Sequence, residues 1–242
     1  MAHGYPDFAQ SAGVSTVYQL RDLAELAARL GSIDTFDRRG DVIELESFEH
    51  GLNNTYTAYS GTGGAVDLSL LYAKSGHFSA RLSAGSDLTH YALVRKQIVA
   101  SAISRIGLEA SFIWGGTPDS IRLIIQIFDG SYTYGGQLHY IPSTKQLLYT
   151  NSVGATVELD ADVKLYNAAY AWHTIKLVID PVTGTYARAL LDGYAYAMSD
   201  IALYKAVSAI FPIIICDLSN YGRVAQNDSV YVDDMIVTQN EP

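Results

Sequence analysis

Residues 172–193 read WHTIKLVIDPVTGTYARALLDG, and the architecture of the chain can be worked out from them. Ile175, Leu177 and Ile179 alternate with Thr174, Lys176 and Asp180, the period of a half-buried strand. Asp180-Pro181 followed by Thr183-Gly184 supplies a fixed φ and then a residue at ease with φ > 0, so the chain reverses there. Tyr186–Leu191 returns as the partner strand, and Asp192-Gly193 turns it again.

Segments of the same kind extend to both sides. Residues 105–114 place Ile106, Leu108, Ala110, Phe112 and Trp114 on one face and Arg105, Gly107, Glu109 and Ser111 on the other, which predicts a strand buried on one side. Residues 121–128 are apolar on both faces, as expected of a central strand. Further strands are expected over 42–49, 65–72, 77–82, 91–97, 132–140, 147–151, 155–159 and 230–238. Another is expected over 211–216, with Pro212 near its beginning. Residues 51–64 read as loop, and 201–205 as a helical turn or loop. Turn signals recur about every ten residues, the spacing of a β-sandwich. Ahead of the sandwich, residues 1–32 read as an extended arm and one short α-helix. Leu20, Leu23, Ala27 and Leu30 form its apolar stripe, and Gly31 ends it. Residues 33–242 are then one all-β, antiparallel sandwich domain.

Composition narrows the function. Of 242 residues 49% are hydrophobic, ample for a core, and the net charge of −9 argues against a nucleic-acid or anionic-membrane partner. The longest dense apolar run, 209–216, is too short to span a bilayer. The single cysteine, Cys216, lies in an apolar run and reads as a small buried hydrophobe. The N-terminus shows no basic, apolar leader, so no signal peptide is visible.

Four marks together resemble the concanavalin-A-like and laminin-G-like jelly rolls, including carbohydrate-binding modules. They are Ser47-Phe48-Glu49, Lys74-Ser75-Gly76-His77-Phe78, the Trp172 hairpin and Tyr231-Val232-Asp233-Asp234. The resemblance covers roughly residues 41–239 and implies a jelly-roll β-sandwich. It also implies a structural calcium held by Glu49 with Asp233 or Asp234, oxygen ligands that suit this hard cation. No catalytic residue is carried over. Glu44, Glu46 and Glu49 look superficially like a glucanase strand, but Glu44 and Glu49 have opposite parity unless a bulge intervenes. The six histidines show no metal-binding spacing, and His173 reads as a hydrogen-bonded, partly buried ring.

Aromatic residues supply the candidate carbohydrate or interface set: Tyr132, Tyr134 and Tyr140, then Tyr170 and Trp172, then Tyr194 and Tyr196. Such rings stack on sugars and also favour protein contacts. Two functions follow. One is a non-catalytic assembly protein, such as a virion component on a particle or extracellular surface. It would be homo-oligomeric or bound to other particle subunits, with the N-terminal helix docking on a neighbour or on its own sandwich. The other is a carbohydrate-binding module that takes a glycan.

Overall fold

Alternating apolar side chains leave each strand with one face to bury, and stacking two sheets buries both inner faces at once. The computed structural model, which describes residues 40–100 and 103–242, is built this way. Among these residues are sixteen strands and no helix. The first eight are β1 (Asp41–Glu46), β2 (Tyr56–Tyr59), β3 (Ala65–Ser69), β4 (Ser79–Ser83), β5 (Tyr91–Val99), β6 (Ile106–Gly115), β7 (Ser120–Phe128) and β8 (Tyr132–Ile141). The remainder are β9 (Gln146–Thr150), β10 (Thr156–Asp160), β11 (His173–Asp180), β12 (Thr185–Leu191), β13 (Tyr194–Ala197), β14 (Tyr204–Val207), β15 (Ile213–Tyr221) and β16 (Ser229–Gln239). One eight-stranded sheet runs β13-β12-β11-β6-β16-β4-β3, with β1 also on β16. The other runs β10-β9-β8-β7-β15-β5-β2, with β14 on β8. The result is the antiparallel jelly-roll sandwich expected. The N-terminal arm and helix of residues 1–32, with Leu20, Leu23, Ala27 and Leu30, lie outside the described residues.

The Trp172 hairpin forms as its residues dictate. Ile175, Leu177 and Ile179 enter the core, and Ile175 pairs with Leu191 and Asp180 with Thr185. Asp180 Oδ1 accepts the Val182 and Thr183 N–H groups at 2.9 and 3.1 Å, and Gly184 takes φ +74°. Two burial expectations change places, however. β6 is buried along both faces rather than one, and so is β11, including Lys176. The cause is cover from distant segments, Lys74 over Ser111 and Glu241 beyond it. Glu241 lies over this sheet with Oε1 2.7 Å from Lys176 Nζ and Oε2 2.5 Å from Arg188 Nη2, which shuts the outer face. Conversely, β7 is not buried on both faces: Arg122, Ile124 and Gln126 are only half-buried. Nothing in the periodicity of either strand reports a cover supplied by a distant segment.

Other boundaries shift for local reasons. β1 ends at Glu46 because Glu46 Oε1 accepts the Phe48 N–H at 2.8 Å and Phe48 turns into the core with φ +61°. Residues 201–205, expected as a helical turn or loop, lead into β14, whose Tyr204 pairs with Gly135 of β8. β15 starts after Pro212, so Phe211 is exposed rather than part of a buried strand. β2 lies within the expected loop, and β13 adds a third strand to the Trp172 hairpin. Cys216 is fully buried in the core, as expected, and burial pushes its thiol pKa up.

Two polar groups tie the layers together. Lys96 of the second sheet reaches Glu46 and Glu44 of β1 at 2.6 and 3.0 Å, and its ammonium also donates to the Asn54 carbonyl. Burial works against Glu46's charge, but Lys96, the Phe48 N–H and Thr55 hold its pKa below the usual value. Tyr186 of β12 crosses the core. Its hydroxyl donates to the Thr150 carbonyl at 2.6 Å and accepts the Gln137 N–H at 3.0 Å. It fills the step in β8 where pairing passes from β14 to β9. Gly136 makes the room, since a Cβ there would lie 2.6 Å from Ile179 Cγ2.

Candidate functional site

Alternation along β7 and β8 sends Leu123, Ile125, Ile127, Leu138 and Tyr140 into the core. Arg122, Gln126, Thr133, Gln137 and His139 therefore face the other way. Register aligns Arg122 with His139 and Gln126 with Gly135. With Thr150, Gly154, Thr156 and Tyr204 these residues line an open trough of about 300 Å³ on the outer face of the second sheet. Tyr204 stands as a wall, its ring 3.6 Å from where a Cβ on Gly135 would sit.

The floor is polar but not acidic. His139 Nε2 lies 3.1 Å from Gln137 Oε1 and 3.3 Å from Thr150 Oγ1. Desolvation, reinforced by the nearby Arg122 charge, pushes the His139 pKa down to about 4, so the ring is neutral at neutral pH. Arg122 donates from Nε to Ser120 Oγ at 2.9 Å, and its guanidinium lies 3.5 Å over the Tyr221 ring. Beside it on the same face Arg95 grips Asp217 through two bonds of 2.7 and 2.6 Å and covers Tyr56. No residue lining the trough carries a carboxylate.

The expected calcium ligands, Glu49, Asp233 and Asp234, each hydrogen-bond the 74–78 loop. A bulge in β16 sets Asp233 and Asp234 against the 74–78 loop. Asp233 Oδ2 accepts the Lys74 and Ser75 N–H groups at 2.8 and 3.0 Å, and Ser75 Oγ donates to Asp234 Oδ1 at 2.7 Å. Glu49 Oε1 accepts the His77 and Phe78 N–H groups, both at 2.7 Å, and Gly76 leaves room for that carboxyl. Lys74 brings its ammonium 3.4 Å from Asp234 Oδ2 and donates to Ser111 at 2.7 Å. Among the described residues no group of three or more His, Cys, Asp and Glu is placed to hold one metal ion. The glutamate run is divided likewise, with Glu44 and Glu46 on Lys96 and Glu49 on the loop.

The expected aromatic set does not share one surface. Tyr134 and Tyr140 turn into the core. Tyr132 is partly exposed with Lys205 Nζ 4.1 Å over its ring. Tyr170, exposed, meets Tyr72 edge-on, and Trp172 is half-buried in the approach to β11. Tyr194 and Tyr196 sit on β13 at the edge of the first sheet, Tyr196 donating to Asp160 at 2.8 Å. His173 is the hydrogen-bonded ring expected, 2.7 Å from Asp192 and 3.0 Å from the Tyr166 carbonyl. Aromatic content alone missed Arg122, Gln126, Gln137, His139 and Tyr204. The signal for Gln137 and His139 was present, as non-apolar residues at every second position of 132–140, whereas in 121–128 only Arg122 and Gln126 interrupt an apolar run.

No protein-family model matches the chain, and no curated protein matches it in sequence. Solved structures match it in fold. An endo-β-1,4-glucuronan lyase from the fungus Trichoderma reesei superposes with a TM-score of 0.57 at 11% identity, covering 82% of this chain and 96% of that one. The cellulose-induced protein Cip1 gives 0.53 at 16%, covering 81% and 96%. A carbohydrate esterase from the Shiga toxin-encoding bacteriophage phi24B gives 0.51 at 12%, covering 84% and 100%. At these identities the likeness is one of fold: an antiparallel β-sandwich.

Proposed function

We propose that the protein binds carbohydrate in the trough of the second sheet without turning it over. The observation that carries this is the trough's open polar floor. Gln126, Thr133 and Thr156 face it with amide and hydroxyl groups that make no side-chain hydrogen bond to the described residues, and Tyr204 offers ring surface beside them. Sugars present hydroxyls and apolar ring faces, and such a floor answers both. The names of the similar structures link this fold to carbohydrate. Glycoside hydrolysis commonly uses two facing carboxyl groups, and the trough lining has none.

Titration calorimetry of the full chain against a panel of oligosaccharides tests the proposal. Binding to at least one glycan is expected, weakened roughly tenfold by Gln126→Ala together with Gln137→Ala. Absence of binding, or binding indifferent to these substitutions, overturns it. Release of reducing ends or of unsaturated sugar during incubation overturns its non-catalytic half.

A separate observation favours the assembly reading as a second role. Val99, Val207, Ile210 and Phe211 are exposed, Val207 by 85%, and cluster with Tyr132 at one end of the second sheet. Pairing of Val99 with Ile213 and of Val207 with Tyr132 brings them there. Exposed apolar clusters mark contact surfaces, and another copy of the chain is the proposed occupant. Light scattering should show an oligomer that Val207→Asp with Phe211→Asp dissociates. A monomeric wild-type chain removes this role and leaves carbohydrate binding untouched.

A further inference from the structure

Charge compensation is the rule in this molecule. Among the described arginines, Arg81 pairs with Asp67, Arg95 with Asp217, Arg105 with Asp180, Arg188 with Glu241 and Arg223 with Asp228. Arg122 breaks the rule: no carboxylate among the described residues lies within ion-pair distance of it. It is also the one charged side chain in the trough lining.

Asp119 is near enough to act on the Arg122 charge but not to pair with it, and the groups in contact with the guanidinium are uncharged. The Tyr221 ring covers one face of the guanidinium at 3.5 Å, and Ser120 Oγ takes the Nε–H at 2.9 Å. The two terminal nitrogens make no hydrogen bond to the described residues. A guanidinium stays charged even where burial lowers its pKa, as it does here. Its planar pair of donors matches two oxygens of one anion, and a fork already fixed loses little freedom on binding. His139, directly across the strand pair, is neutral at neutral pH, so the trough carries one positive charge and can still offer a ring N–H.

We propose that Arg122 anchors an anionic group of the bound glycan, a carboxylate or a sulfate ester, so that the trough selects acidic over neutral sugars. The inference rests on the carbohydrate reading above. The protein's net charge of −9 makes a local anchor the more necessary, because the molecule as a whole repels an anion.

The test measures affinity for three oligosaccharides of equal length: a hexuronate, a sulfated neutral sugar and the neutral parent. One acidic sugar should bind at least about tenfold more tightly than the parent, the size expected of charge-assisted hydrogen bonds. The tighter of the two identifies the anion. Arg122→Gln should erase the preference, the acidic and neutral sugars then binding that variant with equal affinity. Arg122→Lys should retain part of it, since charge survives and the fork does not. Equal affinity for acidic and neutral sugars sinks the inference but leaves carbohydrate binding standing. A preference that persists in Arg122→Gln sinks it as well, and so does no binding to any of the three, carbohydrate binding itself being decided by the wider panel.

Discussion

On the outer face of the first sheet Lys176, Glu241 and Arg188 hold one another within 2.5–2.7 Å under the chain terminus, and Lys74, Ser111 and Thr174 form a second chain of contacts under the 74–78 loop. On the outer face of the second sheet Arg122 has a tyrosine ring, one serine and an open trough. Both faces are polar. The first spends its polar groups on covering segments of the same chain, and the second leaves several without such use. A polar group without an internal partner is costly to keep unless water or a ligand serves it. The contrast therefore separates a structural face from a recognition face without appeal to any single motif.

The largest expected effect lies on the closed face. Glu241→Ala withdraws the carboxylate from between two cations, one of them, Lys176, 1% exposed. Breaking a buried pair from one side costs about 3–5 kcal/mol. Urea denaturation should show a loss of that order. A loss near zero would mean that the terminus merely rests on the sheet, and the asymmetry between the faces would disappear.

Next in size are two titrations of opposite sign, one per sheet. Desolvation pushes the Asp233 pKa from 3.8 up to about 7, with Asp234 adding repulsion and the backbone N–H groups opposing. The folded state thus binds this proton more tightly than the unfolded one, so the contribution is full below pH 3.8 and lost as pH rises through 7. His139 is the reverse. Its pKa falls from 6.5 to about 4, so the folded state gives up the proton first, and stability is lost as pH falls through that window. Melting temperature followed from pH 8 to 4 should change slope when either group is removed. Asp233→Asn should abolish the fall on the alkaline side, and His139→Gln the fall on the acid side. If both variants leave the profile unchanged, neither environment is as dry as its packing implies. The same melts address calcium. Lys74 already places a cation beside Asp234, so EDTA and added calcium are expected to leave the wild-type melting temperature unchanged. A fall in EDTA that Asp234→Asn abolishes would show an ion at the 74–78 loop.

Much of this was legible in the residues. The 172–193 hairpin was, because its turn chemistry and alternation are local. The core positions of β6 were too, because parity alone sets them. What periodicity could not carry was which outer face would be covered. Gly107, Glu109 and Ser111 read as solvent-facing, yet the cover is made by Glu241 and Lys74, distant in sequence. Arg122 and Gln126 were hidden for the opposite reason, since the apolar density of 121–128 masked two polar positions on a strand whose outer face is left open. The aromatic residues misled because Tyr134 and Tyr140 share parity with Leu138 and so belong to the core.

The smallest effect is also the sharpest comparison. Ser111 and Thr133 are both hydroxyl residues on outer faces, one in each sheet. Ser111 is 1% exposed and bonded to Lys74 and Thr174, so Ser111→Ala should cost about 1–2 kcal/mol through the partners it strands. Thr133 lines the trough and makes no side-chain hydrogen bond to the described residues, so Thr133→Ala should stay within about 0.5 kcal/mol of wild type. Its cost should fall instead on glycan affinity, read by calorimetry on the same sample. Similar losses of stability at the two sites, with affinity unmoved, would mean that the second face is held by its own hydroxyls just as the first is. The trough would then be a gap in the surface rather than a place prepared for a ligand.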